Sequence, residues 1–249
     1  MTTNSDWLVW HNSPEETATG GATFLSPQAA LVQVWACDLE DAALDRFCDE
    51  STLSADEREH GERLRFPRGR RLFLRRRALK RFLLGRFLGV PPTELRFLEN
   101  GLDKPRLAPP HAGRVHYSGS DSENLCLLAL STAGAVGVDV EVPTLDYDWE
   151  GVAEMYLDGP RLAQLRGVPP AEAQETFLRF WALRESFGKA TGAGVVGETE
   201  DGVSAEAVWD LVFQPARVAA TVAAAGWRWE TRMTCLGKGD VVAATVVKG

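Results

Sequence analysis

The stretch Gly137-Val138-Asp139-Val140-Glu141 alternates apolar and acidic residues, and Trp181-Ala182-Leu183-Arg184-Glu185-Ser186-Phe187-Gly188-Lys189 follows downstream. In extended chain, residues i and i+2 share a face. Asp139 and Glu141 would therefore project together while Val138, Val140 and Val142 pack the other way. Two carboxylates held side by side repel unless a cation or a proton lies between them, and a hard cation with oxygen ligands, magnesium first, suits that place. The second stretch reads as helix, and its i, i+4 spacing puts Trp181, Glu185 and Lys189 on one face. Glu185 adds a third carboxylate and Lys189 a cation one turn beyond it, a set suited to an anionic phosphate ester. Each piece alone has a plainer reading. The first is also what a half-buried strand with one wet face looks like, and a surface Glu–Lys pair contributes only about 0.2–0.5 kcal/mol.

Those residues need elements to hold them. Residues 31–36 read as a first strand. Ser54, followed by Asp56 and Glu57, predicts a helix start, with acids at the positive end of the dipole. Pro67 and Gly69 break that helix. A longer one is expected from about Arg70 to Leu88, with Leu72, Leu79, Leu83 and Phe87 on one side, stopped by Gly89 and Pro91-Pro92. Strands are expected at 95–98, 115–118, 125–130 and 135–142. A helical region at 149–166, interrupted by Gly159-Pro160, precedes the helix at 172–191 that carries Glu185 and Lys189. Residues 208–213, 226–231 and 241–247 alternate like antiparallel strands. Strand, helices and a run of strands thus occur roughly twice, without an exact sequence repeat, splitting near residue 136 into residues 31–136 and 137–249. Residues 1–30 are polar and rich in Thr, Gly, Ser and Pro, and read as a poorly ordered or irregular extension.

Composition bounds the function. The chain has 249 residues, 45% hydrophobic and 25% charged, enough to bury a real core. No apolar run approaches the roughly 20 residues of a membrane helix, and no export signal is legible at the N-terminus. Cys37, Cys48, Cys126 and Cys235 lack metal-ligand spacing and read as reduced thiols, which predicts a cytoplasmic location. His11, His60, His111 and His116 show no metal spacing either, and Trp181 reads as core anchoring for its helix. Net charge is −8, yet Arg63 to Arg86 contains eleven Lys or Arg and no acid, leaving 16 basic against 35 acidic residues elsewhere. Such segregation suggests a surface for a small, densely charged ligand or an acidic protein partner rather than for nucleic acid, which the acidic remainder would repel. A solvated helix face is the plainer alternative.

Together, in order and separation, the two motifs resemble the signature of the Sfp-type 4′-phosphopantetheinyl transferases: Gly-(Ile/Val)-Asp-(Ile/Val)-Glu, then Trp-x-x-Lys-Glu-(Ser/Ala)-x-x-Lys-x-x-Gly. Here the second motif runs from Trp181 to Gly192, with Arg184 where the family usually has Lys. Leu53 to Arg58, the arginine-rich helix, Lys104-Pro105-Arg106-Leu107 and Ser118-Gly119-Ser120 fall in family order, so the resemblance covers about residues 31 to 194. It implies two similar α+β halves related by a pseudo-twofold axis, with the active site in the cleft between them. It implies transfer of the 4′-phosphopantetheine arm of coenzyme A to a serine of an apo acyl or peptidyl carrier protein, often one of polyketide or nonribosomal-peptide biosynthesis. Adenosine 3′,5′-bisphosphate would be released. It implies Mg2+ held by Asp139, Glu141 and Glu185, with Glu185 and Lys189 catalytic. Coenzyme contacts would come from Arg71, Lys104, Ser118, Ser120 and Lys189, with Arg75 and Arg77 as further candidates on the basic helix. The internal duplication favours a monomer.

The chain departs from the family where Gly119 replaces a His, and where Glu57 and His60 stand in place of basic coenzyme contacts. A catalytically weakened relative that still binds coenzyme A or a carrier protein is therefore the second reading. Another metal-dependent phosphoryl enzyme, such as a nuclease using the same three carboxylates, is the third.

Overall fold

The computed structural model describes residues 8–11, 32–98, 105–143, 148–194, 204–213, 227–236 and 239–248. Strand β1 (Leu8–His11) runs parallel to β2 (Val32–Asp38). Helices α1 (Ala55–Arg63) and α2 (Pro67–Leu88) follow, then the short antiparallel pair β3 (Phe97–Leu98) and β4 (Arg106–Leu107). Strands β5 (His116–Ser122) and β6 (Leu125–Ser131) complete a sheet of order β1-β2-β6-β5. Next come β7 (Val136–Glu141), α3 (Trp149–Tyr156), α4 (Gly159–Arg166), α5 (Pro170–Thr191) and α6 (Ala205–Val212). Strands β8 (Trp227–Leu236) and β9 (Gly239–Lys248) close a second antiparallel sheet, ordered β7-β9-β8. Helix and sheet are mixed as an α+β chain should mix them.

The pleat explains the layering. Along β2 and β6, Trp35, Cys37, Cys126, Leu128 and Leu130 pack with α2, whereas Val32, Val34, Ala36, Leu125, Leu127 and Ala129 pack with Val136, Val138 and Val140 of β7. Along β9, Val242, Ala244 and Val246 meet the α5 core of Phe177, Leu183 and Phe187, while Val241, Ala243 and Val247 turn to the first sheet. Strands buried on both faces read as unbroken apolar runs, as β6 does. The order is helix α2, first sheet, second sheet, helix α5. On β7 the valines face the first sheet, so Gly137, Asp139 and Glu141 must face α5.

Several sequence expectations need correcting. Residues 208–213 form no strand: Val208, Trp209, Leu211 and Val212 are the buried face of α6, whose Ser204 cap accepts a hydrogen bond from Ala207 N–H. Spacing of one, three and four positions is helical, and the segment is too short for alternation to outvote it. Pro67 begins α2 instead of merely ending its predecessor, and Pro170 begins α5, because a first-turn proline lacks only an N–H that has no helical partner. Glu57 is a structural residue. It forms a reciprocal capping box with Ser54 and takes the Arg81 guanidinium at 2.6 Å in the interior. His60 stacks on Phe73 with ring centroids 4.7 Å apart.

Candidate active site

Gly137 governs how closely the two motifs approach. A Cβ there would lie 2.8 Å from Ala190 N and closer still to the Ser186 carbonyl oxygen, so α5 rests directly on the backbone of β7. Only glycine permits that approach. Ser186 is fully buried and donates to the Ala244 carbonyl at 3.3 Å, tying the middle of α5 to β9. Trp181 packs on the same core, stacked on Phe177 and edge-on to Tyr156. Gly192, at φ +83°, caps the helix one turn after Lys189.

With the helix so placed, Lys189 Nζ lies 2.5 Å from Asp139 Oδ1, 3.0 Å from Ser120 Oγ and 4.0 Å from Glu185 Oε2. Ser120 donates to the same Asp139 oxygen at 2.7 Å. The second oxygen, Oδ2, is buried without a hydrogen-bond partner. Burial holds the Asp139 carboxyl above the usual carboxylate range, against the pull of Lys189 and Ser120. Glu141 is pushed up to about 8, chiefly by burial and then by the charges of Asp139 and Glu185 beside it. Glu185 is raised too, by burial and by Asp139. The three acids therefore sense one another, and the cation among them is the protein's own ammonium. Among the described residues no group of three His, Cys, Asp or Glu side chains is arranged to hold a metal ion as it stands. The donor set nonetheless fits a hard divalent ion. It comprises carboxylate oxygens, one of them buried and unsatisfied, on acids that burial and mutual repulsion hold toward the protonated form.

A cleft of about 370 Å³ opens beside Lys189. Glu185, Gly188 and Lys189 of α5 form one wall, residues 117–121 of β5 the floor, and Arg76, Arg77 and Lys80 of α2 the opposite wall. Arg76 is ion-paired with Asp121 on the floor. Lys80 lies 4.0 Å from the Phe97 ring centroid, and Arg77 lies over Phe73. Basic residues of α2 and α5 thus line one cleft together with Asp121 and Glu185.

The structure sorts the expected site residues. It brings Asp139, Glu185, Lys189 and Ser120 together, with Glu141 beside them. Ser118 lines the cleft, but its hydroxyl accepts a hydrogen bond from Val138 N–H at 3.2 Å. Arg71 does not line the cleft: it pairs with Glu40 at 3.2 Å, and Arg75 pairs with Asp45. Of the three arginines singled out, only Arg77 reaches the cleft, joined by Arg76 and Lys80. A helical-phase argument had the means to find these two. Arg71 and Arg75 share one stripe, four residues apart, and Arg76 and Lys80 share the next. Lys104 lies outside the described residues. Gly119 sits on the floor with room above it, since a Cβ there would be 3.5 Å from its nearest neighbour, Leu127 O.

Residues 135–243 match the model of the 4′-phosphopantetheinyl transferase superfamily, a span that includes Asp139, Glu141, Glu185 and Lys189. The chain is 29% identical over 214 residues to the 4′-phosphopantetheinyl transferase HetI of Nostoc sp., covering 81% of this chain and 90% of that protein. It is 34% identical over 146 residues to the 4′-phosphopantetheinyl transferase AcpT of Escherichia coli, covering 57% of this chain and 69% of that protein. With psf-1 of Bacillus pumilus, also a 4′-phosphopantetheinyl transferase, identity is 27% over 144 residues, covering 57% and 59% of the two chains. The stretch matched by the family model holds the strand of Asp139 and the helix of Glu185 and Lys189, and with these relatives it shows that the chain belongs to the 4′-phosphopantetheinyl transferase superfamily.

Proposed function

We propose that this protein transfers the 4′-phosphopantetheine arm of coenzyme A to a serine hydroxyl of an apo acyl or peptidyl carrier protein, releasing adenosine 3′,5′-bisphosphate with the help of magnesium. One observation carries the reading. The Lys189–Asp139–Ser120 contact, with Glu185 at its edge, opens onto a cleft whose far wall is the arginine-rich α2. Phosphoryl displacement asks the protein mainly for positioning and charge neutralisation. Asp139, Glu141 and Glu185 would hold magnesium, which supplies neutralisation of the pyrophosphate and of charge on the leaving group. Lys189, freed from Asp139 once that acid has another cation, would contact the phosphates. Glu185, raised by burial yet at the open edge of the group, is the candidate acceptor for the serine proton. Arg76, Arg77 and Lys80 would draw the coenzyme's anionic end to the opposite wall. Ser120 would meet the phosphates from the floor, Ser118 would add its O–H while its Oγ keeps the bond from Val138 N–H, and Arg71 and Lys104 are retained as outer contacts.

The same reading treats residues 31–136 and 137–249 as two α+β halves related by a pseudo-twofold axis, and the protein as a cytoplasmic monomer serving polyketide or nonribosomal-peptide carriers. The test is to incubate the protein with coenzyme A, magnesium and an apo carrier protein and to weigh the carrier. A mass gain equal to the pantetheine arm, abolished by chelation and by Glu185→Ala, is the expected result. Coenzyme A binding in calorimetry without any mass gain refutes the transferase and leaves a binding protein.

A further inference from the structure

Among the described residues, strand β5 is an edge of the first sheet and β7 an edge of the second, and no backbone ladder joins them. A strand edge facing the interior must still satisfy its N–H groups. Ser118, Ser120 and Ser122 stand at i, i+2 and i+4 on β5 and share the face turned to β7, level with Ala129, Leu127 and Leu125 of β6. Ser118 Oγ accepts from Val138 N–H at 3.2 Å, and Ser122 Oγ accepts from Val142 N–H at 3.4 Å. Between them Asp139 Oδ1 accepts the Ser120 hydroxyl at 2.7 Å. Two amides on the side of this strand that faces β5, Val138 within β7 and Val142 just after it, are thus met by serine hydroxyls. Three hydroxyl groups of β5 thus reach across the seam, two to backbone amides and one to Asp139.

We propose that Ser118 and Ser122 are positioning residues, whose hydroxyls zip β7 to β5 and thereby hold Asp139 in register with Ser120 and Lys189. The inference rests on the proposed transferase reading for its kinetic arm only. Ser122 lies outside the motifs that suggested the function and has its own contact at the seam, so it is the cleaner probe. A hydroxyl at this place exchanges one hydrogen bond for another with little geometric penalty, whereas alanine leaves a partly buried N–H unmet.

The test uses the full chain and the variants Ser122→Ala, Ser122→Thr and Ser118→Ala. Amide hydrogen exchange of the free protein is read first. Val142 should exchange at least about tenfold faster in Ser122→Ala, and Val138 likewise in Ser118→Ala, with the amides of Gly137 and Asp139, which face β9, unchanged. Transfer kinetics are read second. In Ser122→Ala, kcat should fall about tenfold while KM for coenzyme A moves less than twofold, and Ser122→Thr should recover most of the loss. Unchanged exchange at Val142 and Val138 overturns the proposal. So does a change in Ser122→Ala confined to KM, which would make Ser122 a ligand contact, or a failure of Ser122→Thr to rescue. If the wild-type protein transfers nothing at all, the function reading fails while the exchange arm still decides the seam.

Discussion

The substitution Gly137→Ala tests the geometry on which the site depends. Its methyl group would meet only backbone, with Ala190 N at 2.8 Å and the Ser186 carbonyl oxygen nearer still, so no side chain can swing aside. Restoring ordinary contact, which begins at 3.4 Å, requires α5 and β7 to part by at least about 0.6 Å on the Ala190 line, and by more at Ser186. Helix and sheet move as packed bodies, so Lys189 and Glu185 would retreat from Asp139 with the rest of α5. The Lys189–Asp139 contact at 2.5 Å and the Ser186–Ala244 bond at 3.3 Å would both stretch. Overpacking of this kind costs about 1–3 kcal/mol or more, and a displacement near 1 Å in a catalytic constellation costs about a hundredfold in rate. Gly119→Ala is the control for stability: a methyl there stands 3.5 Å from Leu127 O and 3.8 Å from Leu128 Cδ1, so the unfolding midpoint should hardly move. The assays are thermal unfolding of both variants and coenzyme-dependent mass gain of an apo carrier with Gly137→Ala. Should Gly137→Ala unfold where the wild type does and transfer within threefold of its rate, the close approach is not what positions the site.

Three further outcomes are expected. Arg81→Ala strands the Glu57 carboxylate in the interior and removes a donor to the Pro92 and Leu95 carbonyls, so denaturant titration should show a loss of about 3–5 kcal/mol; Glu57→Gln with Arg81→Met should recover part of it. Cys48 and Cys126 are each pushed up to about 11 by burial, and Cys37 is raised further, so at pH 8 only about one thiol in a thousand ionises at the first two. Iodoacetamide followed by peptide mapping should find Cys37, Cys48 and Cys126 unlabelled in the folded protein and labelled after unfolding. Glu141 titrates in the folded, metal-free protein near 8, above its ordinary 4.5, so its proton is held more tightly in the folded state. Its contribution to stability is present below about pH 4.5 and lost as pH rises through about 8. In chelator, urea midpoints should therefore fall from pH 6 to pH 8.5, and magnesium should flatten that slope.

Particular residues show where legibility ended. The run Val136–Glu141 is identifiable as a strand from alternation alone, and Pro170–Thr191 as a helix from its spacing, because both patterns are properties of neighbouring residues. Residues 208–213 alternate like a strand yet belong to the helix Ala205–Val212 and its cap, because so short a stretch holds too few turns to separate period two from period 3.6. Arg71 is the expected contact and Arg76 an unexpected one because composition marks a basic helix without saying how it is rotated. That rotation is set by Leu74, Ala78 and Leu79 packing on β6, which leaves Arg71 to Glu40 and turns Arg76 to the cleft.

Residue type and local periodicity determined the strand that carries Asp139 and Glu141, the helix that carries Glu185 and Lys189, and the family whose motifs they match. The tertiary structure alone decided that Lys189 lies on Asp139, that Ser120 joins them, and that serine hydroxyls bridge β5 to β7. Those contacts link residues 50, 69 and 20 positions apart, and each exists only because two sheets and two helices stack at separations set by packed side chains and by one missing Cβ at Gly137.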